Sequence, residues 1–219
     1  MSLQLYAHPF SSYCQKVLVA LYENGTPFDY RVLGLDDPQA GEELAALWPL
    51  KRFPVLVDGG EAVIESSVII EHLSLAYPGP APLLPADAKA ALGVRMMDRF
   101  FDNYVMTPMQ KIVFDHMRDA KDRDPPGVAD ARALLDAAYQ WLDVRLAGRN
   151  WACGDDFSMA DCAAAPSLFY ADWVHEIDTA FPNTRAYRAR LLARPSFARA
   201  VDEGRPYRHF FPPGAPDRD

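Results

Sequence analysis

The sequence has few cysteines and no long hydrophobic run. Its 219 residues include three cysteines, Cys14, Cys153 and Cys162, an odd number at spacings unlike those of a zinc site. Such usage requires no disulfide framework and fits a reducing compartment. No run of about 18 uncharged apolar residues occurs, so we expect no membrane-spanning helix and no membrane partner. The first residues lack the basic and apolar regions of a signal peptide, and we expect a cytoplasmic protein.

Positive charge is also scarce. Lysine and arginine number 22 against 30 aspartates and glutamates, which gives a formal net charge of −8. Proteins that bind nucleic acids concentrate positive charge on one face, so no nucleic-acid partner is expected. The five histidines show no metal-ligand spacing, and we predict no bound metal. Hydrophobic residues make up 50% of the chain, as in ordinary globular proteins with a packed core.

The first part of the chain alternates between strand and helix patterns. A helix between two strands forms a βαβ unit, so the first two strands are expected to be parallel. The Asp58-Gly59-Gly60 turn predicts a hairpin between two further strands. The patterns predict strands at 3–6 and 28–33, a hairpin at 54–64, helices at 12–24 and 66–77, and a helical turn at 42–47.

A proline-rich stretch from Pro78 to Pro85 precedes a change in pattern. From 87 to 203 the periodicity is helical, with no convincing alternating strand. We therefore predict an α/β domain at 1–79, a linker at 80–86 and an all-α helical bundle at 87–219. Ser158 and Asp161 are expected to cap the start of one bundle helix reciprocally. The other bundle helices are predicted at 87–121 with a break near Pro108, 128–146, 185–192 and 195–202.

A candidate anion site lies where the first strand leads into the first helix. Backbone N–H groups and the helix dipole favour an anion near Ser11 and Ser12, and a thiolate is one such anion. The Ser11 hydroxyl would stabilise it further. The alternative is that Ser11 or Ser12 only caps the helix. Cys14, one turn further on, is either a reactive thiol or a buried, inert one.

A second candidate site lies at Glu65 and Ser66. Ser66 is expected to cap the next helix, so its hydroxyl and the adjacent N–H groups can hold a carboxylate, while Glu65 can hold an ammonium group. A ligand with an α-amino acid head would satisfy both. The alternative is a plain helix cap beside a solvated glutamate. Between the two sites, Pro54 opens a strand at a position where it costs no ladder hydrogen bond.

Residues 11–17, Ser-Ser-Tyr-Cys-Gln-Lys-Val, resemble the Cys-Pro-Tyr-Cys-x-Lys-Val site of glutaredoxins, with Ser11 in place of the nucleophilic cysteine. That replacement resembles the serine-type glutathione transferases, and the Ser-Ser pair is similar to the zeta class. The resemblance implies a thioredoxin-like N-terminal fold, glutathione as co-substrate, and Ser11 as hydrogen-bond donor to the glutathione thiolate. Ser12 and Cys14 stay open as alternatives, and Tyr6 is a rival by analogy with tyrosine-type members.

The resemblance also implies roles for four further positions. A cis bond is implied before Pro54, with the main chain of Phe53 pairing with the cysteinyl part of glutathione. Phe53 departs from the Val or Ile that is usual in the family. Glu65 and Ser66 would hold the γ-glutamyl group, and Arg52, or its neighbour Lys51, would pair with the glycyl carboxylate or remain a surface charge.

The function that the resemblance implies is that of a cytosolic glutathione transferase, a homodimer whose thiolate attacks a small hydrophobic electrophile. One rival is a glutathione-dependent reductase or lyase that uses Cys14, and another is an isomerase that uses the same site. A third is a non-catalytic relative that binds partner proteins. An aromatic and methionine cluster would form a substrate pocket, bundle core or subunit contact; its members are Phe100, Phe101, Tyr104, Met106 and Met109.

Overall fold

A four-stranded sheet forms the N-terminal part of the computed structural model, which describes residues 3–34 and 37–219. The first two strands pair in parallel, with Leu5 opposite Tyr30, as the βαβ pattern predicts. Gly59 and Gly60 make the hairpin turn with φ of 59° and 94°, a backbone region that glycine tolerates. The strands are β1 (Leu3–Ala7), β2 (Phe28–Val32), β3 (Val55–Asp58) and β4 (Glu61–Ile64), and their order is β2-β1-β3-β4.

Helices cover both faces of this sheet, because successive strand residues point to opposite sides. On one face Leu44 packs in a small core with Tyr6 and Val55. On the other face Leu5 and Leu56 join the main core. The helix of the smaller core is α2 (Pro38–Leu47), and those of the main core are α1 (Ser12–Glu23) and α3 (Ser66–Ala76).

The rest of the described chain is helical, so the predicted class, a thioredoxin-like α/β part followed by a helical bundle, is confirmed. No helix among the described residues is long and apolar enough to cross a membrane. The helices are α4 (Ala88–Phe100), α5 (Thr107–His116), α6 (Pro125–Leu146), α7 (Met159–Val174), α8 (Pro182–Leu192) and α9 (Pro195–Gly204).

Prolines explain where the helix boundaries differ from the predicted ones. The helix expected at 87–121 ends at His116 and contains a π-helical turn, Phe101–Met106, just before Pro108. Pro108 cannot donate a backbone hydrogen bond, and the wider turn accommodates that loss. α2 and α6 begin earlier than predicted, because each opens on a proline behind an aspartate cap, and proline suits the first helical position.

The start of α7 is stabilised by a fully buried carboxylate. Asp161 and Ser158 form the predicted capping box, and both the amide and the hydroxyl of Ser158 lie 2.9 Å from Asp161 Oδ2. Asp161 Oδ1 accepts from the Ala152 amide at 2.9 Å and from the Tyr187 hydroxyl at 2.6 Å. One side chain therefore joins α7 to the loop before it and to α8.

A buried lysine connects the sheet part to the helical part. Lys16 of α1 is 1% exposed, and its Nζ lies 2.6 Å from Asp98 Oδ1 and 2.8 Å from Asp102 Oδ2. Nζ also donates to Ser67 Oγ at 2.9 Å, and that hydroxyl donates to Asp98 Oδ2 at 2.7 Å. These four residues, which we call the Lys16 network, bring α1 and α3 against α4 and the π-helical turn.

Replacement of Asp161 by alanine is expected to lower the free energy of unfolding by about 3 kcal/mol or more, because buried donors lose a charged acceptor and each unsatisfied group costs about 1–3 kcal/mol. Urea unfolding followed by circular dichroism measures the change. The matched control is Asp156→Ala, which removes an exposed carboxylate from the same segment and should change the stability little. Equal stabilities of the two variants would contradict the structural role of Asp161.

Candidate active site

A cleft lies between the sheet part and the helical part and encloses about 890 Å³. Its walls come from the β1–α1 loop, the segment before β3, the start of α3, the region from α4 to α5, Tyr170 of α7 and the C-terminal segment. This volume lies within the range of small-molecule sites. The predicted site residues all line this cleft: Ser11, Arg52, Phe53, Pro54, Glu65 and Ser66.

Ser11 is held by its main chain, and its hydroxyl does not cap the helix. It occupies the N-cap position of α1, yet its side chain makes no capping hydrogen bond with any described residue. Its amide donates to His8 O at 3.0 Å, and its carbonyl accepts from the Gln15 amide at 2.8 Å. Ser11 therefore occupies the predicted capping position, but its hydroxyl does not supply the cap. Ser12 is the first helical residue and also lines the cleft, but it is only 8% exposed.

Cys14 is placed as a core residue. It is fully buried, and its Sγ accepts a hydrogen bond from the His8 amide at 3.4 Å. Burial raises the pKa of the Cys14 thiol to about 12, even though the Ser11 hydroxyl and the His8 amide favour the thiolate. Because the thiolate is the nucleophile, Cys14 is unreactive at neutral pH in this state.

Tyr6 is equally unsuited to activate a thiol in the cleft. Its hydroxyl donates to Glu43 Oε2 at 2.9 Å, and it packs in the small core under α2. Neither Tyr6 nor Cys14 belongs to the described residues that line the cleft.

The segment before β3 turns sharply at Pro54. The Phe53-Pro54 peptide bond is cis, and Pro54 is buried whereas the Phe53 side chain is 41% exposed. β3 pairs with β1 only from Val55 onward, so the main chain of Phe53 lies outside the ladder. An extended ligand can pair with such a free main chain as an added strand does.

The start of α3 is an uncapped helix end in the cleft. Glu65, not Ser66, occupies the N-cap position, so the predicted cap is displaced by one residue. The φ of Glu65 is 70°, a strained value for a residue other than glycine that is typical of functional sites. Neither side chain makes a capping hydrogen bond with a described residue. The Ser66 hydroxyl and the first N–H groups of α3 are therefore free to hold an anion.

Charged side chains are confined to one group of lining residues, which we call the polar half. It consists of residues 11–13, 48, 51–54, 64–66, 99, 102 and 103. Its cations are Lys51, Arg52 and Arg99, and its carboxylates are Glu65 and Asp102. Burial raises the pKa of Asp102 against the opposing effect of Lys16. Asp102 Oδ1 is buried and has no hydrogen-bond partner among the described residues.

The remaining lining residues are uncharged and mostly apolar, and we call this group the acceptor wall. Its members are His8, Phe10, Tyr170 and residues 109, 110, 113, 114, 117 and 210–212. Of the predicted aromatic and methionine cluster, only Met109 belongs to this wall. Phe101 and Met106 are buried in the main core, and Phe100 and Tyr104 line a separate groove.

The C-terminal part of the acceptor wall was not predicted from the sequence. Phe211 packs against Phe10 and Trp173, and the segment after it is tied down by ion pairs of Arg218 with Asp172 and of Arg208 with Asp219. The only local signal is the density of aromatic residues from 207 to 211, which marks packing but does not say against what.

The described residues contain no group of three or more His, Cys, Asp or Glu side chains arranged to hold a metal ion. The cleft instead offers two uncapped helix starts, a free main-chain segment and clustered charges of both signs. Such a site suits a small extended ligand that carries carboxylates and an ammonium group.

Comparison with known proteins identifies the relatives of this chain. Residues 5–81 match the pattern described as "Glutathione S-transferase, N-terminal domain", and residues 125–190 match the corresponding C-terminal domain. The chain is 27% identical over 203 residues to a stringent starvation protein A homolog of Coxiella burnetii, with 92% of each protein covered. It is 29% identical over 220 residues to a probable maleylacetoacetate isomerase of Vibrio cholerae, with 94% of this chain and 98% of that protein covered.

Solved structures agree with this grouping. A glutathione S-transferase of Methylobacterium radiotolerans in complex with glutathione sulfonate is 31% identical, has a TM-score of 0.79 and covers 92% of this chain and 95% of its own. A glutathione S-transferase of Methylobacillus flagellatus with glutathione bound is 27% identical and has a TM-score of 0.81, and the match covers 91% of this chain and 98% of that one. The chain belongs to the glutathione S-transferase family.

Proposed function

We propose that the protein is a glutathione transferase that activates the thiol of glutathione with Ser11 and transfers it to a small hydrophobic electrophile. The observation that carries this proposal is the Ser11 hydroxyl, which lies at a helix N-terminus in the cleft and is not used for capping. The solved relatives with glutathione or glutathione sulfonate support glutathione as the ligand. In this proposal residues 1–79 bind glutathione, and the helical part at 87–219, after the linker at 80–86, supplies most of the residues that face the electrophile, together with His8 and Phe10.

Each part of glutathione has a partner in the polar half. The γ-glutamyl carboxylate would accept hydrogen bonds from Ser66 and the first amides of α3, and Glu65 would hold the ammonium group. The main chain of Phe53, shaped by the bond to Pro54, would pair with the cysteinyl residue. The exposed guanidinium of Arg52, with Lys51 beside it, would hold the glycyl carboxylate.

Ser11 acts on the protonation state of the bound thiol. A free thiol has a pKa of about 8.5, so at neutral pH only a small fraction is thiolate. A hydrogen bond from Ser11 and the positive end of α1 stabilise the thiolate and lower that pKa. The thiolate sulfur then forms a bond to the electrophilic carbon, and the electron pair leaves with the displaced group or moves into the acceptor.

The burial of Cys14 favours this mechanism over a reductase or lyase that uses its own thiol. A redox-active cysteine needs an exposed thiolate of lowered pKa, whereas the pKa of Cys14 is raised to about 12 and the residue is fully buried. The cysteines Cys14, Cys153 and Cys162 are all free, which fits the reducing cytoplasm that we propose as the location.

An isomerase of the kind named among the relatives would use the same thiolate. We propose conjugation of an uncharged electrophile instead, because the described residues of the acceptor wall carry no charge and the cations of the cleft, Lys51, Arg52 and Arg99, belong to the polar half. A substrate carboxylate buried against such a wall would lose its hydration without gaining a cation. A non-catalytic role in partner binding would require neither an uncapped α3 nor the clustered charges of the polar half.

We further propose that two copies of the chain form a homodimer through an apolar groove on α4 and α6. Met96, Tyr104, Leu134 and Trp141 line this groove, and each is more than 40% exposed. An exposed patch of this kind marks an interface. Light scattering of the purified protein should give twice the mass of the 24.5 kDa chain, and a monomer mass would reject this interface.

Ser11→Ala is expected to lower kcat/KM for conjugation by about 10–100-fold, because a hydrogen bond to a charged group contributes about 1.5–3 kcal/mol. Glutathione affinity should change much less, because the hydroxyl acts on the thiolate and not on the rest of the tripeptide. Steady-state kinetics and calorimetry measure the two effects. Ser74→Ala is a matched control, because the Ser74 hydroxyl donates to Ile70 O and lies outside the cleft. An unchanged thiol pKa in the Ser11→Ala complex would remove Ser11 from this role.

Ser66→Ala is expected to raise the Kd for glutathione about tenfold, because a charge-assisted hydrogen bond to the γ-glutamyl carboxylate is lost. The kcat at saturating glutathione should change little, since this contact exists equally in the ground state and the transition state. Calorimetric titration measures the affinity, again with Ser74→Ala as the control from the same helix. Wild-type affinity in Ser66→Ala would exclude Ser66 from the binding site.

A further inference from the structure

The acceptor wall contains very few polar groups. Apart from main-chain atoms, its polar side chains are His8, Gln110 and Tyr170. The Tyr170 hydroxyl is already used, because it donates to Phe10 O at 2.9 Å. In ligand sites, a few placed polar groups fix the orientation of an otherwise apolar ligand. His8 and Gln110 are therefore the side chains of this wall that are available to orient an electrophile.

The hydrogen bonds of His8 determine where its imidazole carries a proton. The Phe10 amide donates to Nδ1 at 3.1 Å, so Nδ1 is an acceptor and Nε2 carries the hydrogen of the neutral ring. Burial lowers the pKa of His8, which keeps the ring neutral at pH 7. Nε2 has no hydrogen-bond partner among the described residues, and the ring packs edge to face with Tyr207 at 4.7 Å. His8 lines the cleft, so its ring brings one neutral N–H donor to this wall.

The donor is held at a fixed position relative to Ser11. The His8 carbonyl accepts from the Ser11 amide at 3.0 Å, and the His8 amide donates to the buried Cys14 sulfur at 3.4 Å. The same short loop therefore carries the hydroxyl assigned to the thiolate and the N–H of His8. Two donors on one braced loop can act on two ends of a single reaction.

We propose that the Nε2–H of His8 is a catalytic donor to an electrophile oxygen that becomes negatively charged as the carbon–sulfur bond forms. The favoured substrates are then uncharged, conjugated carbonyl compounds, of which α,β-unsaturated ketones are the simplest. This inference rests on the proposed glutathione transferase function and adds a substrate class to it.

The addition step balances without any further reactant. The glutathione thiolate forms a bond to the β-carbon, the carbon–carbon π pair shifts toward the carbonyl carbon, and the carbonyl π pair moves to oxygen as an enolate. The His8 N–H hydrogen-bonds that oxygen and keeps its proton. Water then protonates the α-carbon, and the ketone forms again as a thioether adduct.

A donor of this type acts most strongly where charge develops away from water. The acceptor wall has no charged side chain among its described residues. A halide electrophile without oxygen gains nothing from this N–H, because its charge leaves with the halide. The two substrate types therefore separate the role of His8 from general effects on the site.

Two substitutions distinguish the acceptor role of Nδ1 from the donor role of Nε2 in His8. In His8→Asn the amide oxygen can accept from the Phe10 amide, as Asn commonly does two residues ahead, while the Nε2 donor is lost. In His8→Gln the longer side chain can place an N–H near the Nε2 position. His116→Asn is the matched control, because His116 is exposed and does not line the cleft. Thermal unfolding checks that each variant is folded.

The kcat/KM of each protein is measured with glutathione and two electrophiles, benzylideneacetone and benzyl chloride. His8→Asn should lose about tenfold or more with benzylideneacetone, as for loss of one oxyanion donor, and change by less than about threefold with benzyl chloride. His8→Gln should recover part of the lost rate, and His116→Asn should match the wild type.

Equal losses with both electrophiles in His8→Asn, or no loss with benzylideneacetone, would overturn the role of His8 while the transferase function stands. If His8→Asn does not fold, a His8→Gln variant that loses both activities equally would overturn it as well. A wild-type protein that conjugates benzyl chloride but not benzylideneacetone would reject the substrate class alone. A wild type that binds no glutathione and conjugates neither compound would overturn the proposed function, and the His8 proposal with it.

Discussion

The buried charge of Lys16 is the interaction on which the cleft depends. A lysine that is 1% exposed is tolerable only if its ammonium group is fully paired, because desolvation of an unpaired charge costs several kcal/mol. Its partners Asp98 and Asp102 belong to the helical part, whereas Ser67 belongs to the sheet part. The Lys16 network therefore fixes how the two parts meet. It also reaches the cleft directly, because Asp102 and Ser66, the residue before Ser67, line the cleft.

The two sides of the cleft divide the chemistry between them. The polar half contains the N-terminus of α1 and that of α3, so helix dipoles and free amides can bind the anionic groups of a peptide. The acceptor wall is almost entirely apolar and suits the hydrophobic electrophile of the proposed reaction. Ser11 belongs to the loop that contributes to both sides, next in sequence to Phe10. The thiolate that Ser11 is proposed to stabilise would thus form beside the electrophile.

Features encoded locally could be predicted from the sequence, and features that depend on distant contacts could not. The parallel pairing of β1 with β2, the β3–β4 hairpin and the cleft positions of Ser11, Pro54 and Ser66 follow from short motifs with their own turn and capping chemistry. The starts of α2 and α6 were predicted too late in the sequence, because proline stops a helix in most positions but favours its first turn. The carboxylate partners of Lys16, Asp98 and Asp102, lie more than 80 residues away, and Phe211 reaches the cleft by packing on Phe10 and on Trp173 of α7.

Calorimetric titration of the wild-type protein with glutathione, with ultraviolet absorbance of the thiolate recorded on the same sample, tests the central claim most directly. The proposed function predicts saturable binding together with a thiolate signal at neutral pH, because Ser66 and the first amides of α3 are proposed as donors to the peptide and Ser11 as a donor to its sulfur. Absence of binding would contradict a glutathione-dependent function and favour a role in partner binding. Binding without a thiolate signal would contradict activation of the thiol by Ser11.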